Sequence, residues 1–216
     1  MPGVTRPPAE GRPAPAERTH VVLDLGEVLV PAWDVASLAA AVGADPDRFV
    51  AAYWAHRGRY DRGSDPDEYW LRVAQDAAIP PGTLSEADVT RLAELDALHW
   101  TAILPEAEQL LAELNRAGVP LALLSNAPFP IAEAVRRQPW TEHFGQLVFS
   151  AEEGLTKPDP RIYERVTERL QVQPRQVVFF DDRPENVAAA RRCRWNAHVW
   201  TGVHAARAVL DEYRVP

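Results

Sequence analysis

Apolar residues fall in two rhythms along this chain. Short unbroken runs occur at 21–23 (VVL), 121–124 (LALL) and 177–180 (VVFF). Runs of that length suit strands buried on both faces of a parallel sheet. Elsewhere the apolar positions recur at the three-to-four-residue spacing of amphipathic helices. The runs predict strands at His20–Leu25, Val119–Ser125, Gln146–Ser150, Val177–Phe180 and Ala197–Trp200. The helical spacing predicts Pro105–Ala117, Phe129–Gln138, Arg161–Leu170, Pro184–Arg194 and a last helix near His204–Tyr213. Strands alternating with helices imply βαβ units, a parallel sheet and right-handed crossovers.

One long stretch breaks the alternation. From about Trp33 to Ile103 the pattern is helical and no strand signal interrupts it. Val35–Val42 is Ala-rich and amphipathic, and Asp47–His56 carries Phe49, Ala52, Tyr53 and His56 at helical spacing. That spacing makes His56 a packed core histidine. Asp65-Pro66-Asp67-Glu68 reads as a capping box with proline at the first helical position, opening a helix to about Ala78. Pro80-Pro81-Gly82 ends it, and Ser85 caps a fourth helix to about His99. The fold class is therefore α/β: a Rossmann-like three-layer core (20–32 and 104–216) with an inserted four-helix cap (33–103).

Composition trims this picture. Residues 1–19 hold five prolines and almost no large apolar side chains, which predicts a disordered tail. The net charge of −8, with no basic stripe, argues against a nucleic-acid partner. One cysteine, Cys193, excludes an internal disulfide and fits a reducing, cytoplasmic setting. No run approaches the length of a membrane span, so a membrane partner is not expected.

The chemistry gathers at strand ends, which in an open parallel sheet converge on one side. Asp24, Ser125-Asn126, Lys157 and Asp181-Asp182 all fall there. Each has an ordinary reading by itself. Asp24 caps a turn, Ser125-Asn126 forms one, and Lys157 before Pro158 lies on the surface. Two adjacent acids after a buried strand are harder to dismiss, because they repel without a ligand. Together the set suits a phosphate ester. Asp24 attacks phosphorus, Ser125 and the Asn126 N–H hold phosphate oxygens, and Lys157 neutralises charge. Clustered carboxylates with phosphate suit Mg²⁺.

The order LDLGEVLV (23–30), LLSNA (123–127), GLTKPDPRIY (154–163) and VVFFDDRPENV (177–187) resembles the haloacid dehalogenase superfamily, in its phosphatase branch with a helical cap after the first strand. The resemblance implies Asp24 as nucleophile and metal ligand, the Gly26 carbonyl and Asp182 as direct ligands, and Asp181 as a ligand through water. Asn186 steadies that loop. The catalytic set is Asp24, Ser125 and Lys157; substrate contacts come from Leu25, Gly26, Ser125, Asn126, Lys157 and Arg62. From the cap, Trp33, His56, Arg57, Arg59, Tyr60, Asp61 and Arg62 are candidates for specificity. The implied activity is Mg²⁺-dependent hydrolysis of a small phosphomonoester, such as a sugar phosphate, through an aspartyl-phosphate, by a monomer or weak dimer.

One position departs from that pattern. Most members carry a general-acid Asp two residues after the nucleophile, where this chain has Gly26. An aspartate substituted there should be tolerated, and Glu27, a cap residue or water remains as the proton donor. The departure keeps two alternatives open: a 2-haloacid dehalogenase, which needs no metal, and a phospho-ligand binding protein without turnover.

Overall fold

The computed structural model describes residues 18–216. The predicted tail lies outside the described residues, apart from positions 18 and 19. Five parallel strands form one sheet in the order β3-β2-β1-β4-β5: β1 (His20–Leu23), β2 (Leu121–Ser125), β3 (Gln146–Phe149), β4 (Val177–Asp181) and β5 (Asn196–Val199). Ten helices accompany them. They are α1 (Ala36–Ala41), α2 (Pro46–Tyr60), α3 (Pro66–Asp76), α4 (Glu86–His99), α5 (Pro105–Arg116), α6 (Phe129–Arg136), α7 (Ser150–Glu153), α8 (Pro160–Leu170), α9 (Pro184–Arg192) and α10 (Val203–Glu212).

Side-chain alternation along the strands sends residues to both faces. Val21, Leu23, Leu121, Leu123, Val178 and Phe180 join α5, α6 and α10 in one apolar cluster. Val22, Ala122, Leu124, Val177 and Phe179 join α8 and α9 in another. The sheet is thus covered on both sides, which is why its strands read as unbroken apolar runs.

Helices α1–α4 enclose a third cluster, from Val35 to Leu92, between β1 and α5 in the chain. The main chain leaves the core after Val30 and returns beside it, where Leu104 N–H donates to Leu29 O at 2.8 Å. Local capping fixes the helix starts. Asp45 accepts from Arg48 N, with Pro46 first in α2, and Ser85 and Asp88 form a full capping box. At α3 the expected box is only half made. Asp65 accepts from Glu68 N, but the Glu68 carboxylate turns to Arg72 at 2.9 Å, one turn along the helix.

The buried stripe of α2 also differs from expectation. It runs Phe49, Ala52, Tyr53, Arg57 and Tyr60. His56 sits at its edge, half-buried and 2.8 Å from Asp76, so it is no core histidine. No helix among the described residues is long and apolar enough to cross a membrane.

Candidate active site

The parallel register sets Leu23 beside Phe180, so the acids that follow them, Asp24 and Asp181, emerge side by side at the strand ends. Lys157 arrives from the loop before α8 and bridges them. Its Nζ lies 2.7 Å from Asp24 Oδ1 and 2.6 Å from Asp181 Oδ2, and it donates to Leu124 O at 2.9 Å. Only 4% of this lysine is exposed, which removes the surface reading. Asn126 clamps its backbone from both sides: Asn126 Nδ2 donates to Lys157 O at 2.9 Å and Lys157 N donates to Asn126 Oδ1 at 2.8 Å. Asp181 is saturated, because its Oδ1 also accepts from Asn186 Nδ2 and Arg183 N, each at 2.9 Å.

Asp24, Asp181 and Asp182 each offer a carboxylate oxygen within 4.8 Å of the others. One ammonium stands against these three acids. Burial pushes the Asp24 carboxyl up to about 8, with Asp181 adding to the push against the pull of Lys157. Burial and then Asp181 push Asp182 up to about 6. Burial works to lower the Lys157 ammonium, but Asp181 and Asp24 overcome it and hold it above its usual range. The cluster is short of positive charge, and its donors are all hard oxygens. A divalent cation of the Mg²⁺ type fits both conditions.

Above the cluster lies a cavity of about 750 Å³. From the core, Asp24, Gly26, Ser125, Asn126, Lys157 and Asp182 line it; from the cap, Trp33, Arg57, Asp61 and Arg62. The other cap candidates stand elsewhere. Arg59 is exposed, 3.6 Å from Glu68, and Tyr60 is buried against Tyr69 with ring centroids 4.0 Å apart. The Leu25 side chain is packed in the core and does not line the cavity, so only its backbone meets Asp24, where Leu25 N donates to Asp24 Oδ1 at 2.7 Å. Asp181 is fully buried behind Lys157 and likewise lines no part of the cavity.

Two aromatic lining residues escaped the sequence reading, Trp54 and Trp100. Trp100 stands where a side chain at residue 26 would go: a Cβ on Gly26 would meet Trp100 Cζ3 at 2.9 Å. Asp96 fixes this ring. It is 1% exposed, and its Oδ1 accepts from Trp100 Nε1 (3.1 Å), Trp33 Nε1 (3.1 Å) and Tyr53 OH (2.8 Å). Arg57 completes the cluster, with Nε 2.7 Å from Asp61 Oδ1 and Nη1 3.5 Å from Asp96 Oδ2. The Asp–Trp spacing of one helical turn in α4 was the available signal for Asp96. Cap meets core at the next turn, where the Ser150 hydroxyl donates to Asp61 O and accepts from Ala127 N.

The family model described as haloacid dehalogenase-like hydrolase matches residues 19–194. A sesquiterpene phosphatase of Aspergillus oryzae is 29% identical over 62% of this chain and 66% of its own length. An (S)-2-haloacid dehalogenase of Pseudomonas sp. is 32% identical over 57% of this chain and 56% of its own length. The chain thus spans less than two thirds of either relative. A crystal structure of a haloacid dehalogenase family enzyme from Bacteroides thetaiotaomicron, a mutant complexed with magnesium and inorganic phosphate, shares the fold at a TM-score of 0.62. It is 18% identical, over 84% of this chain and 93% of that one.

Proposed function

The chain belongs to the haloacid dehalogenase-like hydrolases, and on that premise we propose that it hydrolyses a small phosphomonoester through an aspartyl-phosphate on Asp24, with Mg²⁺ held by Asp24, Asp182 and the Gly26 carbonyl. The observation that carries this reading is the charge-deficient cluster of Asp24, Asp181 and Asp182 at the floor of the cavity. Such a floor favours a cation and its phosphate, and it repels the carboxylate of a 2-haloacid.

In this reading one Asp24 oxygen attacks phosphorus and the bond to the leaving oxygen breaks. Lys157, held by Asn126 and Asp181, holds Asp24 in place and pulls its carboxyl down against the burial that raises it. Ser125 and the Asn126 N–H receive phosphoryl oxygens at the end of β2. Asn186 and the Arg183 N–H hold Asp181, so that it anchors the lysine. Held by Asp24, Asp182 and the Gly26 carbonyl, Mg²⁺ would supply positive charge to offset that of the phosphoryl group. Water then attacks phosphorus, releases phosphate and restores Asp24. Much of the catalysis is positioning and charge neutralisation.

The test is p-nitrophenyl phosphate hydrolysis with Mg²⁺ and with EDTA, beside chloride release from 2-chloropropionate. Phosphate release that needs Mg²⁺ is expected. Chloride release in EDTA without phosphatase activity would overturn the reading.

A further inference from the structure

We propose that Asp61, a cap residue, donates the proton to the leaving group and so performs the task that Gly26 cannot. The proposal rests on the phosphatase reading above.

The position two residues after the proposed nucleophile offers no acid in this chain. It carries no side chain, and the Trp100 ring fills the adjoining space. The donor must therefore come from elsewhere in the cavity. Its lining holds four acids: Asp24, Asp182, Glu27 and Asp61. Asp24 is the nucleophile and Asp182 belongs to the metal cluster. Glu27 is exposed to solvent and has no hydrogen bond or ion pair among the described residues to fix its carboxyl over the site.

Asp61 differs in burial and in anchorage. It is 8% exposed. One oxygen, Oδ1, accepts from Arg57 Nε, while Oδ2 has no hydrogen-bond partner among the described residues, and the residue lines the cavity. Its main chain is tied to the loop that would hold the phosphate. The Ser150 hydroxyl donates to Asp61 O and accepts from Ala127 N, one residue past Asn126. The same turn abuts the core at Gly63, where an added Cβ would lie 3.0 Å from Ala151 O. Such contacts hold residue 61 over the end of β2. Burial pushes its carboxyl up to about 6, against the pull of Arg57, which puts it near the working pH of a general acid.

The step balances as follows. An Asp24 oxygen bonds to phosphorus as the bond to the ester oxygen breaks. That oxygen takes the electron pair and receives the proton from Asp61 Oδ2. The alcohol leaves, and Asp61 becomes a carboxylate. In the second step the attacking water gives its proton to Asp61 as the bond from phosphorus to Asp24 breaks. Phosphate is released and both acids return to their starting states.

The experiment compares phenyl phosphate with p-nitrophenyl phosphate, which share a shape but differ in how much the leaving oxygen needs a proton. For Asp61→Asn, kcat/KM for phenyl phosphate should fall on the order of 10²-fold, while that for p-nitrophenyl phosphate changes less than about threefold. Glu27→Gln should leave the ratio unchanged. A uniform loss, no loss, or a selective loss in Glu27→Gln would each overturn the assignment. If Asp61→Asn fails to fold, the wild-type pH profile decides. Asp61 faces Arg57, Asp96 and Arg62 in the cap and Asp24, Asp182 and Lys157 across the cavity. Of these only Asp61 would protonate the leaving oxygen, so the phenyl profile should show a basic limb that the p-nitrophenyl profile lacks. Identical profiles would sink the proposal. If the wild type cleaves neither ester, the phosphatase reading itself fails, an outcome distinct from failure at Asp61.

Discussion

Replacing Gly26 with alanine asks whether Trp100 truly occupies the space beside the nucleophile loop. A Cβ on residue 26 would lie 2.9 Å from Trp100 Cζ3 and 3.5 Å from Cη2. Carbon atoms settle at about 3.5–4.0 Å, so the ring must retreat by roughly 0.6–1.1 Å. Three contacts resist that shift. The indole N–H donates to Asp96 at 3.1 Å, the Arg57 guanidinium lies 5.4 Å from the ring centroid, and His99 packs edge-on at 5.4 Å. The φ of Gly26 lies outside the left-handed region, so backbone strain does not confuse the result. Overpacking of this kind costs about 1–3 kcal/mol. At about 2–4 °C per kcal/mol for a chain of this size, Tm should drop by roughly 2–12 °C. Trp100→Leu removes the opposing ring, so the double variant should be less destabilised than the two singles summed, by at least about 0.5 kcal/mol. Thermal and urea melts of the four proteins measure the cycle. A Gly26→Ala protein within about 1 °C of wild type, or a cycle that adds, would refute the steric account. Gly26→Asp meets the same ring. The tolerance expected from sequence is therefore reversed, and that variant should be less stable than wild type.

Asp24→Asn keeps the size of the nucleophile but not its charge, and turnover should fall by several orders of magnitude; a folded variant retaining a tenth of wild-type activity would contradict the assignment. Asp182→Asn should raise the Mg²⁺ concentration needed for half-maximal activity, with partial recovery at high Mg²⁺, and an unchanged Mg²⁺ titration would argue that residue 182 is not a ligand. Lys157→Met leaves Asp24 and Asp181 buried without their cation, so stability should fall by about 3–5 kcal/mol in urea melts at neutral pH; a loss below about 1 kcal/mol would mean that the bridge matters little. Asp61 should also leave a pH signature. Its folded carboxyl, near 6, lies above the ordinary value of 3.8, so the stability it contributes is present below about 4 and lost as pH rises through 6. Asp61→Asn should therefore gain on wild type by up to about 3 kcal/mol between pH 4 and 7, on top of any constant offset. Parallel profiles would show that residue 61 titrates normally.

The sequence by itself determined what depends on near neighbours and on repetition. Unbroken runs such as VVFF named the strands, because a doubly covered sheet needs apolar residues on both faces. Asp65-Pro66 and Ser85 marked helix starts, since capping is settled within one turn. The strand-end acids were legible for the same reason: the polar residue that ends a buried run is visible in the run. Tertiary structure alone decided the rest. Lys157 is a bridge and not a surface lysine because Asp24, Leu124 and Asp181 surround it, from 24 to 133 positions away in the chain. Whether His56 or Arg57 turns inward depends on where the acids of other helices lie. Asp96, 39 residues on, draws Arg57 in, while Asp76 holds His56 at the rim. The fit of Trp100 against Gly26 joins the end of the cap to the nucleophile loop, and the Ser150–Asp61 contact spans 89 residues. Such pairs leave no periodic trace, because a contact between distant segments constrains two positions and not a pattern.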